Sequence, residues 1–293
     1  MKYKDAPFYQ AQDFETIFGY AWMIYKRYFG WLFFYSFLGI LLIQALIYTF
    51  FPNTIAQLYQ VAENPQAPMG NLLQELGLFV AVFFLIYALL YLFLFYFIIG
   101  KTLFPEKSHL TLFAEAVQKY YLHYLLTMAL VFAVLFFGTI AGLILFIIGA
   151  LFTGLFFGTV LFPSAPILIV EEIKPIQVIP RCFQLVLKDF WRVLGFVIVF
   201  YTIIVLFSMI FSAISMAPYA GKFLHTVFNA AGPETVSGTS GMLQPMQNPV
   251  YIVLNSLFNA LIIPLTPIFS VLVYFHLKFR EDQSNPSSAG SVI

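Results

Sequence analysis

The run YLHYLLTMALVFAVLFFGTIAGLILFIIGALFTGLFFGTVLFPSAPILIV, residues 121–170, decides the fold. No charged residue occurs between Lys119 and Glu171. A helix needs about 20 apolar residues to cross about 30 Å of hydrocarbon. The run is too long for one crossing and fits two, Leu122–Ile147 and Ala150–Val170, with a turn around Ile148 and Gly149. Four more windows of that length flank it: Trp31–Phe51, Leu76–Gly100, Val193–Met216 and Val253–Leu277. The 293 residues are 61% hydrophobic and 9% charged, against roughly 25% charged in soluble domains. Lipid is therefore the expected solvent, and the expected fold is an all-α, polytopic membrane protein with six transmembrane helices in a single domain over residues 1–280.

Charge sets the expected orientation. With six spans, the N-terminus, residues 101–121 and 171–192, and the C-terminus share one side. Every Lys and Arg except Lys222 falls there. The positive-inside bias makes that side cytoplasmic, with both termini on it. Adding or dropping a span would scramble the partition. The polar opening MKYKDAPFYQAQDFE has no apolar signal core. A net charge of +1 gives no footprint for nucleic acid, and a single cysteine excludes an internal disulfide framework.

Three segments before outward-going spans are alike: FETIFGYAWMIYKRYFGW from Phe14, LTLFAEAVQKYYLHY from Leu110 and IQVIPRCFQLVLKDFWRV from Ile176. Each is amphipathic at helical spacing, with basic and aromatic residues near its end. Such helices lie in the membrane interface; the alternative is that they extend the spans. The plan is three parallel repeats, at about 14–100, 109–170 and 175–280, each an interfacial helix followed by a transmembrane hairpin. The third carries an enlarged outer loop at 217–250, with a short helix near Tyr219–Phe228. The tail, 281–293, reads as disordered.

Two repeats share an interruption. FPSAPILIVEE carries Pro163 and Pro166, and IPLTPIFSVLV carries Pro264 and Pro267 at the same spacing. Each proline removes a donor and frees a carbonyl one turn earlier. In lipid that carbonyl must find a neighbour, water or a ligand. Interrupted helices at matching places in repeats point to a binding site, or they are kinks that shape packing.

No Asp, Glu, Lys or Arg falls in the middle of a span, which disfavours proton-coupled pumping. Uncharged polarity forms stripes: Tyr201, Ser208, Ser212 and Ser215 in span five, and Asn255, Asn259, Thr266 and Ser270 in span six. They read as inter-helix hydrogen bonding or as a polar pathway. Gly138/Gly142 and Gly154/Gly158 are GxxxG pairs suited to close helix packing. Glu171 and Glu172, adjacent on a helix, point about 100° apart and form no catalytic pair; they anchor the helix end or meet Arg181 or Lys188. His109, His123, His225 and His276 lack metal-ligand spacing, Cys182 faces the apolar side of its helix, and no phosphate-binding glycine motif occurs. No cofactor and no metal is expected.

PSAPILIVEEIKPIQVIPRCFQLVLKDFWRVLG and the ending VLVYFHLKFRED resemble a bacterial family, the membrane domain fused to some glycerophosphoryl diester phosphodiesterases, with its stand-alone relatives of unknown function. An acidic residue usually follows the aromatics of that family's last helix; His276 stands there. The catalytic domain's His and Glu metal signature has no match, so its activity is not carried over. The expected function is a non-enzymatic interaction or scaffold subunit of an envelope assembly, with the bilayer and other membrane proteins as partners. The alternative is a transporter or channel for a lipid or small molecule using the kinked helices. An enzyme of lipid head-group chemistry is disfavoured.

Overall fold

The computed structural model describes residues 4, 6, 8–51, 72–144, 146–216 and 249–284. Among these residues the chain is helical almost throughout, and no strand occurs. The helices are α1 (Phe14–Phe50), α2 (Leu72–Leu103), α3 (His109–Glu115), α4 (Tyr121–Leu143), α5 (Phe146–Leu161), α6 (Ser164–Glu171), α7 (Pro175–Val186), α8 (Phe190–Met216), α9 (Pro249–Ile262) and α10 (Leu265–Ser284). A π turn, Ala116–Tyr120, joins α3 to α4, and a 3₁₀ turn, Leu187–Asp189, joins α7 to α8. Six helical stretches among them are long and apolar enough to cross a membrane. The chain is thus built as a multi-pass membrane protein.

Four details differ from the sequence reading. The first amphipathic segment is not separate. It runs unbroken into span one as the 37-residue α1, about 55 Å long at 1.5 Å per residue. No proline interrupts it, and a glycine such as Gly30 costs only about 1 kcal/mol relative to alanine in a helix. The second and third segments join their spans through the π and 3₁₀ turns. The reversal between α4 and α5 falls at Ile144 rather than at Ile148 and Gly149. Gly142 leaves room for it: a Cβ there would lie 2.7 Å from the Gly149 carbonyl oxygen and 2.9 Å from Ala150 Cα, so the returning chain is already against it. Lastly, α10 continues through Ser284, into the stretch read as disordered, because Glu281 and Asp282 find partners there. Residues 285–293, and the outer loop with its short helix up to residue 248, lie outside the described residues.

The chain clusters into two compact units. The first comprises Met1–Leu32, Ala88–Thr202 and Pro264–Ile293. Its core is α10, buried on all sides from Pro267 to Leu277, with α6 from Ala165 to Val170 and Leu92–Ile99 of α2. A helix apolar all round its circumference belongs inside, and these are such stretches. By contrast α4 and α5 expose Phe132, Phe137, Ile147 and Phe152, an apolar surface suited to lipid. The second unit comprises Phe33–Tyr87 and Ile203–Ile263. There Phe211 of α8 stacks on Phe258 of α9 at 4.6 Å, and Phe51 meets Phe79 edge-on at 5.3 Å.

Candidate functional site

The two proline pairs make the same joint. α5 ends at Leu161 and α6 begins at Ser164; α9 ends at Ile262 and α10 begins at Leu265. Pro163 and Pro264 therefore stand just before a helix, where the missing donor costs nothing. Pro166 and Pro267 sit in the first turn that follows. In both joints the helix restarts identically, with Ile167 N–H donating to the Pro163 carbonyl at 3.1 Å and Ile268 N–H to the Pro264 carbonyl at 3.2 Å. Pro166 offers no N–H to the Phe162 carbonyl one turn back. The Ser270 hydroxyl donates to that oxygen instead, at 2.8 Å. Aromatic rings fill the space around it. Phe162 meets Phe200, Tyr201 and Phe269 edge-on, and Phe200 stacks on Phe269 at 4.4 Å.

The other predicted polar residues are arranged differently. Asn259 Nδ2 donates to the Asn255 carbonyl at 2.8 Å and to its side-chain oxygen at 3.0 Å, so this pair is engaged within α9. Ser208 and Ser212 are exposed on α8. The glycines separate as well. A Cβ on Gly138 would collide with the Phe157 ring, and one on Gly142 with Thr153 and the α5 backbone. At Gly154 it would make ordinary contact with Thr139, and at Gly158 it would meet open space. Only the first pair draws α4 and α5 together.

Charged groups gather where the spans end. Arg181 of α7 is held by two carboxylates. Its Nε and Nη2 donate to Glu171 at 2.7 and 3.0 Å, and its Nη1 and Nη2 to Glu281 at 2.8 and 2.6 Å. Lys278 adds a bond to Glu281 at 2.8 Å, and the Tyr274 hydroxyl reaches Glu171 at 3.3 Å. Arg181 was one of the alternatives expected for Glu171; Glu281 was not, because EDQS reads as tail by composition. Beside this network His276 is fully buried. Its Nδ1 accepts the Gln12 N–H at 2.9 Å, which fixes the proton on Nε2, 3.2 Å from Asp189 Oδ2. Asp189 also accepts from Arg280. His276 thus docks the N-terminal segment, whose Phe8 and Tyr9 pack on Phe275 and whose Tyr9 hydroxyl donates to Asp282.

A second polar grouping surrounds a cleft of about 370 Å³. It contains two trios of one composition. In the first, Glu115 accepts from Lys107 at 2.7 and 2.8 Å and from the Tyr96 hydroxyl at 2.7 Å. In the second, Glu172 accepts from Lys119 at 2.7 Å and from the Tyr120 hydroxyl at 3.0 Å. The Tyr96 and Tyr120 rings, 5.5 Å apart, join the two. Glu172 is the C-cap of α6 in a left-handed conformation, φ 51°, an uncommon state for a residue with a side chain. The Lys119 ammonium bonded to it holds its carboxyl below the usual carboxylate range. The sequence left this grouping unread, since its members come from α2, the turn before α3, α3, the π turn and the end of α6. Its one local signal was that Lys119 and Glu171–Glu172 bracket the charge-free run. Among the described residues no three His, Cys, Asp or Glu side chains are placed to hold a metal ion. Comparison with protein-family models, with curated proteins and with solved structures finds no match.

Proposed function

We propose that this chain is an integral protein of a bacterial inner membrane, without catalysis of its own, that serves as an interaction or scaffold subunit of an envelope assembly. One observation carries the reading. Ile176, Pro180, Gln184, Leu187 and Trp191 follow at helical spacing along α7 and the start of α8, and all are exposed, Ile176 at 71% and Trp191 at 81%. The opposite side of α7 is fixed by buried Val178, Cys182, Leu185 and Val186 and by the Arg181 ion pairs. A rigid helix with an aromatic and aliphatic outer face suits a protein contact, since aromatic anchors dominate interface energetics. The transport alternative finds less support. Ser270 already occupies the carbonyl that Pro166 frees, and Phe162, Phe200 and Phe269 fill the joint. Membership of the membrane-domain family resembled by residues 163–195 is part of the same proposal.

The test is a photo-crosslinking amino acid at Gln184, in cells at native expression level. The reading expects one discrete protein adduct that disappears when Ile176→Ser and Trp191→Ser are introduced together. Adducts to lipid alone would count against a scaffold role.

A further inference from the structure

We infer that the cleft between the two Lys–Glu–Tyr trios binds the head group of a zwitterionic phospholipid carrying both a phosphate and a primary ammonium. This goes beyond the scaffold proposal and does not depend on it. Three features lead there. The first is depth. Lys119 and Glu172 are the two ends of the charge-free run from Tyr120 to Val170, and they meet at 2.7 Å. The cleft therefore lies where α4 leaves the apolar layer and α6 arrives from it, at the level of lipid head groups. The second is charge. Lys107 and Lys119 face the cleft with Glu115 and Glu172, so its lining is neutral yet holds both signs. A phosphate suits the two ammoniums, an ammonium suits the two carboxylates, and the Tyr96 and Tyr120 hydroxyls supply further polar contacts. An anionic lipid would satisfy the lysines and leave the glutamates facing a like charge.

The third feature is construction. The π turn Ala116–Tyr120 directly follows Glu115 and carries Lys119 and Tyr120, so one short stretch supplies members of both trios. π turns inside α-helices occur frequently at functional sites. Lys101 holds the adjoining turn by donating to the Pro105 and Lys107 carbonyls at 3.2 and 2.7 Å, which positions Lys107. A volume of about 370 Å³ sits at the small end of ligand sites, which run from about 300 Å³ upward. It fits a head group and not a whole lipid.

The test uses the full chain in nanodiscs of equal parts phosphatidylethanolamine, phosphatidylcholine and phosphatidylglycerol, extracted gently and weighed by native mass spectrometry. Retained phosphatidylethanolamine should exceed each of the others by about threefold, the scale of one exposed charge-pair interaction. Phosphatidylcholine keeps the phosphate but its quaternary nitrogen cannot donate; phosphatidylglycerol lacks the ammonium. Millimolar soluble O-phosphoethanolamine should displace the retained lipid, and glycerol phosphate should not. Lys119→Gln with Glu172→Gln leaves the lining neutral and should return retention to bilayer proportions. If that variant fails to fold, the wild-type comparison still decides. Retention of the three lipids in bilayer proportion, a preference for phosphatidylglycerol, or no displacement by O-phosphoethanolamine would each overturn the assignment.

Discussion

Replacing Arg181 with methionine removes the guanidinium that hydrogen-bonds both Glu171 at the end of α6 and Glu281 near the end of α10. Four charge-assisted hydrogen bonds go with it, between 2.6 and 3.0 Å. The two carboxylates are only 14% and 13% exposed, so water cannot replace the lost donor. Breaking a buried ion pair from one side costs about 3–5 kcal/mol. Here Lys278 stays 2.8 Å from Glu281 and 4.0 Å from Glu171 and offsets part of that. The expected loss is about 2–4 kcal/mol, or roughly 5–15 °C in Tm for a domain of this size, read by thermal unfolding in detergent. Much of the loss is the cost of stranded carboxylates, not the worth of the pairs. Adding Glu171→Gln and Glu281→Gln to Arg181→Met should therefore recover at least half of it. A drop under about 1 kcal/mol for Arg181→Met, the range of an exposed pair, would refute the reasoning, as would three losses that simply add.

Gly142→Ala should push α4 from α5 and cost about 1–3 kcal/mol, while Gly158→Ala, with open space around it, should be neutral or slightly stabilising by thermal unfolding. Ser270→Ala strands the Phe162 carbonyl and should cost about 0.6–1.7 kcal/mol, from the average to the largest value measured for hydrogen bonds between membrane helices. In the Pro166→Ala background the backbone N–H restored at that position can serve the same carbonyl, so Ser270→Ala should cost much less there, as a double-mutant cycle on Tm would record. Glu172→Gly should be more stable than Glu172→Ala by about 1 kcal/mol, because only glycine is free of strain at φ 51°. Glu172 has a lowered carboxyl pKa when folded, so its ion pair adds stability above the usual carboxylate range. The advantage of wild type over Glu172→Ala should vanish as pH falls through that lowered value.

The membrane architecture was legible because it rests on runs of apolar residues, and apolar runs are local. The proline joints were legible for the same reason: Pro163/Pro166 and Pro264/Pro267 repeat a spacing that any reader of the chain can see. Their closure was not. Nothing near Phe162 in sequence announces that Ser270 will serve its carbonyl, because that contact spans more than a hundred residues. Composition misled at Glu281 and Asp282. They read as tail, yet Arg181 and Tyr9 draw them into α10. The GxxxG pairs carry identical patterns, but only Gly142 has backbone against it, and the pattern cannot say which face of a helix meets a neighbour. The Lys–Glu–Tyr cleft was invisible because Tyr96, Lys107, Glu115 and Glu172 converge only in three dimensions.

The central claim is that the interruption at Pro163 and Pro166 is a packed joint and not a passage. The direct measurement replaces Cys182, the single cysteine, with alanine and introduces Ser270→Cys, Ile167→Cys or Gln184→Cys in membranes exposed to a water-soluble thiol reagent from both sides. Gln184 is exposed, whereas Ser270 and Ile167 are buried at 1% and 0%. A closed joint predicts rapid labelling at position 184 and none at 270 or 167. Labelling at position 270 as fast as at 184 would contradict the account and restore a path through the proline-broken helices.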